Sequence, residues 1–302
     1  MTSDDMFAIF ILTYKRADNQ LTLEHLREDL GYEGKIILLI GDDDPQQEEY
    51  RATASRYPNT DVFVFDKSKS IQHSDVCDNI QRFNTVVFVR SEVFYVAREL
   101  GYTYFMILED DYSSYLYRYP EDGMLRSRKV HDMDGVISAM RRFYESTDVT
   151  SISFSMGGDY IGGLSKYLNW GYKQRKVCNS FFHSTDRPMR FIARMNDDIA
   201  TQVNMSQRGH CFLSVREIAI PQPETMTQEG GLTDMYNANG EYQKAFYTLI
   251  AQPSCVKIRY MRHLKQPIHH SVSYNNCTPC ILSDDIKKSK TRITPICKEY
   301  IA

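Results

Sequence analysis

The chain has 302 residues, 42% of them hydrophobic, which is enough to build one large or two small packed units and excludes a fibrous or disordered composition. A formal net charge of −3 excludes a molecule that attracts nucleic acid by overall charge, so any such binding has to use local basic patches. The 7 cysteines, odd in number and scattered, read as free thiols in a reducing compartment.

Phe7–Thr13 is a continuous apolar run, the pattern of a strand buried on both faces. It is too short for a membrane span or a secretory core and follows acids rather than a basic stretch, so a cytoplasmic protein without membrane association is expected. Thr13, Tyr14, Lys15 and Arg16 leave its tip, where cations can meet a diphosphate and backbone amides a base or ribose; a solvated loop is the alternative. Leu21–Leu30 has helical spacing and stops at Gly31. Lys35–Ile40 is a second buried strand, ending in Gly41-Asp42-Asp43-Asp44-Pro45. Asp42, Asp43 and Asp44 could bind ribose hydroxyls or cap the next helix, and for Asp44, with Pro45 at the first helical position, the capping reading is at least as strong. Asp61–Phe65 is a third strand, Asp78–Leu100 reads mostly as helix, and Tyr104–Leu108 is a fourth strand. This alternation predicts a mostly parallel sheet, with the acidic tips of strands two and four on one edge.

The fourth strand runs into Glu109-Asp110-Asp111. Acids at the C-terminal tip of a buried strand stand at the crevice where open α/β sheets bind ligands. Three carboxylates sit together at low cost only if solvent or a cation neutralises them, and Mg2+ or Mn2+ bridging to a phosphate serves that purpose. In an extended chain Glu109 and Asp111 point one way and Asp110 the other. A solvated acidic turn is the competing reading.

Further on, His131–Ser146 reads as helix and Thr150–Phe154 as strand, followed by a glycine-rich loop with Gly158, Asp159 and Gly162. Val177–His183 and Cys211–Val215 read as strands, with a short helix from Ile199 between them. Of Asp197 and Asp198, one could take a proton from an acceptor hydroxyl and the other cap that helix; the sequence does not separate them. Thr227, Gln228, Gly230, Gly231 and Asp234 form a glycine-rich turn that would let an acceptor approach the backbone. Tyr242, Ala245, Phe246 and Leu249 have the spacing of an amphipathic helix, and Val256–Tyr260 and Ile268–Tyr274 close the fold. His269 and His270, adjacent on a strand, should face opposite ways, so that one reaches a site where a neutral imidazole completes a carboxylate metal centre. Basic clusters at Arg126–Lys129, Lys173–Lys176, Lys257–Lys265 and Lys287–Arg292, interleaved with Tyr172, Tyr260 and Tyr274, could track a phosphate backbone. Cys277-Thr278-Pro279-Cys280 has no second CxxC or histidine pair in zinc spacing, so free thiols are expected there.

The order of these pieces resembles a GT-A glycosyltransferase and, more narrowly, the TET-associated glycosyltransferases of bacteriophages, relatives of the base J glucosyltransferase. The stretches that carry the resemblance are Ile11–Arg16, Phe105–Tyr112, Ser153–Gly163, Met195–Ile199, Thr227–Tyr236 with Tyr242–Tyr247, and His269–His270. The resemblance implies an α/β GT-A fold: a Rossmann-like, mostly parallel sheet flanked by helices, with a mixed C-terminal part. It implies a single domain, with residues 1–112 binding the nucleotide sugar and 113–302 the acceptor. Mn2+ or Mg2+ would sit on Asp111 with His269 or His270. A donor such as UDP-glucose would be held by Thr13, Tyr14, Lys15, Arg16, Asp42, Asp43, Glu109 and Asp110. The acceptor would be 5-hydroxymethyluracil or 5-hydroxymethylcytosine flipped out of double-stranded DNA. Gly158, Asp159, Gly162, Thr227, Gln228, Gly230, Gly231 and Asp234 would contact it, with Phe154 and tyrosines as stacking walls. Asp197 or Asp198 would be the base of an inverting displacement. The chain has Glu-Asp-Asp where the commonest GT-A motif is Asp-x-Asp. Competing readings are a GT-A enzyme acting on a glycan or lipid-linked acceptor, an inactive nucleotide-sugar or DNA-binding module, and a two-metal phosphodiesterase.

Overall fold

Four apolar strands set the frame: β1 (Phe7–Leu12), β2 (Lys35–Gly41), β3 (Thr60–Phe65) and β4 (Tyr104–Glu109) run parallel in the order β3-β2-β1-β4. They belong to a computed structural model that describes residues 6–81, 83, 85–160, 162–170, 177–221, 242–262 and 267–277. Ile9, Phe10, Ile11, Ile36, Leu38, Leu39, Met106 and Ile107 are buried, because helices cover both faces of the sheet. That two-sided burial is why the strands read as continuous apolar runs rather than alternating ones. Leu12 pairs with Leu39 on one side and Glu109 on the other, so the tips of β1, β2 and β4 end on a common edge.

Beyond β4 the sheet becomes mixed. Antiparallel β8 (Ser180–Ser184) follows, then β7 (Ser151–Met156), β9 (Phe212–Ile220), β5 (Leu116–Glu121) and β6 (Met124–Lys129). β7 is antiparallel to β8 and parallel to β9, so the C-terminal end of β7 points to the same edge as the tip of β4. Two apolar clusters lie on the sheet faces. One includes residues of α1 (Leu21–Glu24, continued as a π-helical turn to Asp29), α2 (Gln47–Ala54) and α5 (Met133–Glu145). The other includes α4 (Val86–Glu99). A third cluster joins α7 (Asp197–Gln207), α8 (Gln243–Ala251) and the antiparallel pair β10 (Val256–Tyr260) and β11 (Ile268–Val272). Among the described residues, no helix is long and apolar enough to cross a membrane.

Four local expectations are corrected. The helix expected over Asp78–Leu100 begins only at Val86, because Asp75 bridges to Ile192 and Asp78 binds Arg194, drawing the preceding segment away from helical geometry. Asp44 does not cap α2, which starts at Gln47; its two oxygens accept from Gln46 N and Lys15 N instead. On α8 the buried face is Ala245, Tyr247, Thr248 and Ala251, while Tyr242 and Phe246 are exposed. The β5–β6 hairpin was not expected, although Asp122 (φ 47°) and Gly123 (φ 71°) form the left-handed two-residue turn that an Asp-Gly pair favours.

Candidate active site

The loop leaving β4 is fixed by its neighbours before any ligand is considered. Thr22, at the start of α1, donates its hydroxyl to Glu109 O and its amide to Asp110 O (3.1 Å), and its oxygen accepts from Tyr112 N (2.8 Å). The buried Tyr112 donates to Asn179 O (2.6 Å), tying the loop to the entry of β8. The three acids then diverge. Asp110 turns inward: it accepts from Thr13 Oγ1 (2.7 Å) and Arg16 Nη1 (2.8 Å). Thr13 in turn accepts from Gln20 (2.9 Å) and Tyr50 (3.0 Å), and Tyr50 accepts from Arg16 N (2.9 Å). Glu109 turns the other way and pairs with Arg90. Asp111 keeps a buried Oδ1 with no hydrogen-bond partner.

Lys15, in a left-handed conformation (φ 56°), hands its amide to Asp44 (2.8 Å), which ties the loop after β1 to the loop after β2. The ring of Tyr14 has the ammonium groups of Lys15 and Lys67 each 5.1 Å from its centroid, and Lys67 also pairs with Asp43. Asp42 accepts from Lys67 N (3.1 Å). Residues 13–16 and 42–44 thus form, with Lys67, one mixed patch beside the acids, in which Tyr14, Lys15 and Lys67 lie against Asp42, Asp43 and Asp44.

Asp197 and Asp198 open α7 after Asn196, whose backbone is left-handed (φ 52°). The structure separates the two acids. Asp197 is buried and accepts from Arg90 Nη1 (2.8 Å); Asp198 is half-buried, and its Oδ1 accepts from Ile199 N (2.7 Å). Burial raises Asp197, with Arg90 opposing and Asp198 adding. Burial also raises Glu109 against the pull of Arg90, with Asp111, Asp198 and Asp110 adding to the rise. Asp111 is raised by burial, with Arg16 opposing. Five carboxylates here share two guanidinium groups, so the pocket carries excess negative charge.

The side-chain nitrogen of Asn196 lies within hydrogen-bond distance of Lys244 O (3.2 Å), Thr248 Oγ1 (3.2 Å) and His270 Nδ1 (3.1 Å), so it anchors β11 and α8 beside the acids of α7. With Nδ1 of His270 accepting, its Nε2 carries the proton of the neutral ring. His269 donates Nδ1–H to His270 O (2.7 Å), which leaves its Nε2 lone pair for a ligand. The two rings lie 4.6 Å apart instead of facing opposite ways, because His269 curls back to that carbonyl.

The glycine-rich loop after β7 reaches the same edge. Arg118 of β5 donates to Asp159 O (3.0 Å) and Gly157 O (2.7 Å), and Asp159 Oδ2 accepts from Met156 N (2.9 Å). Gly158 is open to solvent and Gly162 uses a φ of 109°. Phe154 is not a stacking wall: it is buried against Tyr115 in the core. Thr227, Gln228, Gly230, Gly231 and Asp234 lie outside the described residues, as does Cys280.

The profile of the TET-Associated Glycosyltransferase family matches residues 7–231, a stretch containing every element of the nine-stranded sheet. The chain belongs to that family. Among solved structures it is similar to a Staphylococcus aureus TarS fragment (residues 1–349) in complex with UDP, at 9% identity and TM-score 0.42, over 81% of this chain and 64% of that one. It is also similar to glucosyl-3-phosphoglycerate synthase from Mycobacterium tuberculosis, solved with Mn2+, UDP and phosphoglyceric acid, at 8% identity and TM-score 0.46, over 88% and 86% of the two chains. No curated protein matches the chain.

Among the described residues no three His, Cys, Asp or Glu side chains converge into a metal cage. Asp111 Oδ1, buried, without a hydrogen-bond partner and beside surplus negative charge, nevertheless fits the role of one carboxylate ligand to a hard cation. Sequence reasoning missed Arg90, Thr22 and Asn196. The one available signal was an arginine inside the apolar helix Val86–Glu99, since arginine is seldom buried without a partner.

Proposed function

We propose that this glycosyltransferase moves a hexose, glucose in the first instance, from a uridine-diphosphate sugar to the hydroxymethyl oxygen of a 5-hydroxymethylpyrimidine in DNA. The observation that carries the donor part of this reading is the buried, unpartnered Asp111 Oδ1 among carboxylates that outnumber their guanidinium partners. The GT-A architecture, with 1–112 as donor half and 113–302 as acceptor half of one domain, is part of the same proposal. The acceptor assignment is supported by family membership and by Arg126, Arg128 and Lys129, which are exposed along the edge strand β6; that strand lies five strands from β4, and its C-terminal end points to the same edge of the sheet as the acids.

Asp111 would hold a Mn2+ or Mg2+ ion, with His269 as the histidine whose Nε2 is available. The ion supplies neutralisation of the leaving diphosphate when bound. Tyr14 offers a face to the uracil, and Lys15 and Lys67 offer charge to the phosphates. The Asp110, Thr13 and Arg16 network fixes the loop that carries them. Asp198, half-buried and outside the Arg90 ion pair, takes the proton of the acceptor hydroxyl. That oxygen attacks the anomeric carbon, the bond to the diphosphate breaks, and its electron pair leaves on the phosphate oxygen, inverting the centre. A base stacked in a duplex cannot reach this pocket, so it has to flip out.

Calorimetric titration of UDP-sugars with and without Mn2+ tests the donor part: binding should require the metal and disappear in Asp111→Ala. Gel shift with hydroxymethylpyrimidine duplex against unmodified duplex tests the acceptor part. Equal donor affinity without metal contradicts the first, and no DNA binding contradicts the second in favour of a glycan or lipid-linked acceptor.

A further inference from the structure

We propose that Arg90 is a positioning residue for the transfer reaction, one side chain that locks the acids of the β4 tip and the acids of α7 into a single arrangement. The inference rests on the glycosyltransferase reading of the site and assigns a role to a residue outside every motif recognised in the sequence.

Arg90 is 2% exposed and lies on α4, beneath the acidic edge. Its Nη1 donates to Asp197 Oδ2 at 2.8 Å and its Nη2 to Glu109 Oε1. The guanidinium carbon is 5.2 Å from the ring centroid of Phe181 and 5.9 Å from that of Phe191. Aromatic rings pack against the planar group while carboxylates take its N–H edge, a slot that fits a fork of donors and that a single ammonium cannot fill in the same way.

Arg90 acts on the reaction through Asp197. The first turn of α7 is held at Asn196, which binds α8 and His270, and at Asp197, which binds Arg90. Asp198 stands directly after these two anchors, and its Oδ1 accepts from the next amide in the chain, Ile199 N. The direction in which Asp198 presents its carboxylate is therefore set by the two anchors. Glu109, the other partner of Arg90, leads into Asp111 two residues later. Misplacing a reacting group by about 1 Å can cost roughly 100-fold in rate, so a shift of Asp198 should register in turnover well before it registers in donor binding.

The test uses the full chain and reads nucleotide release from a UDP-sugar. Water serves as acceptor if no other is used, so failure on DNA overturns the acceptor assignment and leaves this test intact. Arg90→Lys is preferred to removal of the side chain, because removal strands the buried Asp197 carboxylate and the half-buried Glu109. The expected result is a kcat loss of about 10- to 100-fold with UDP affinity within about 3-fold of wild type. Asp197→Asn should show the same kcat-selective loss, and the double variant should be no more than about 3-fold worse than the poorer single, since both act through one contact. Methylguanidinium added to Arg90→Ala should recover part of the turnover, which a general packing role would not allow. Wild-type turnover in Arg90→Lys, losses that multiply in the double variant, or a fall in UDP affinity parallel to kcat would each overturn the proposal. If Arg90→Lys does not fold, Asp197→Asn alone decides, and a kcat within about 3-fold of wild type in that variant overturns it.

Discussion

β1, β2 and β4 bury nearly every side chain and end level at the acidic edge, whereas β6, at the far side of the same sheet, leaves Met124, Arg126, Ser127, Arg128 and Lys129 exposed. Both regions are strands of one sheet, yet they solve different problems. The parallel half has to hold charged groups still, so it brings acids to a rigid tip and ties them with Thr13, Arg16, Thr22 and Arg90. The mixed half has to present surface, so it ends in a hairpin whose outer strand is stabilised mainly by one neighbour and blunted by cations. Rigidity is concentrated where bond making is proposed, and exposed charge where a large anionic acceptor is proposed to rest.

The sharpest way to break this contrast is to remove the donor edge's unpartnered acid. Asp111→Ala should cost at least about 1,000-fold in transfer and abolish metal-dependent donor binding, with a melting temperature near wild type, because its Oδ1 has no hydrogen-bond partner in the free protein. Asp198→Asn should lower kcat by about 100- to 10,000-fold and leave donor affinity unchanged, as measured by steady-state kinetics beside calorimetry. If Asp198→Asn instead weakens the donor, the two acid groups do not divide the work as described.

A third test concerns stability alone. His183 of β8 is fully buried among Phe94, Phe105, Phe181 and Phe191, and burial lowers it to about 3, only slightly opposed by the Thr150 backbone. The neutral ring is the one the fold accepts. Its contribution is therefore fully present above the unfolded value near 6.5 and is lost as pH falls from there through the folded value. The free energy of unfolding should decline across that window by up to roughly 5 kcal/mol, and His183→Phe should flatten the decline. The smallest effect is expected at the hairpin: Gly123 has room for a Cβ but a φ of 71°, so Gly123→Ala should cost about 1 kcal/mol of stability and leave donor binding untouched.

How much could be read from the chain follows the same division. β1, β2 and β4 are legible because two-sided burial writes a continuous apolar run, β3 because residues 62–65 are apolar, and the parallel sheet follows from strand and helix alternation, whereas the order β3-β2-β1-β4 does not. β5 escaped notice because Pro120 and alternating tyrosine and arginine disguise it, and β6 because its basic residues read as a charge cluster. The acids at 109–111 and 197–198 were visible as clusters, but their separate tasks were not. Asp110 and Asp197 are defined by the cations that hold them, and those cations lie far away in sequence. Likewise nothing in His269-His270 foretold that a local carbonyl would fix one tautomer and Asn196 the other. Periodicity reports burial; it does not report which buried charges meet.

The most direct test of the central claim is a mass-spectrometric nucleoside assay. The protein is incubated with Mn2+, a panel of nucleotide sugars, and DNA carrying 5-hydroxymethyluracil or 5-hydroxymethylcytosine, and the DNA is then digested to nucleosides. The account predicts a hydroxymethyl nucleoside heavier by one hexose, absent with unmodified DNA and absent in Asp111→Ala. Donor consumed with no glycosylated nucleoside would contradict it and move the acceptor away from DNA.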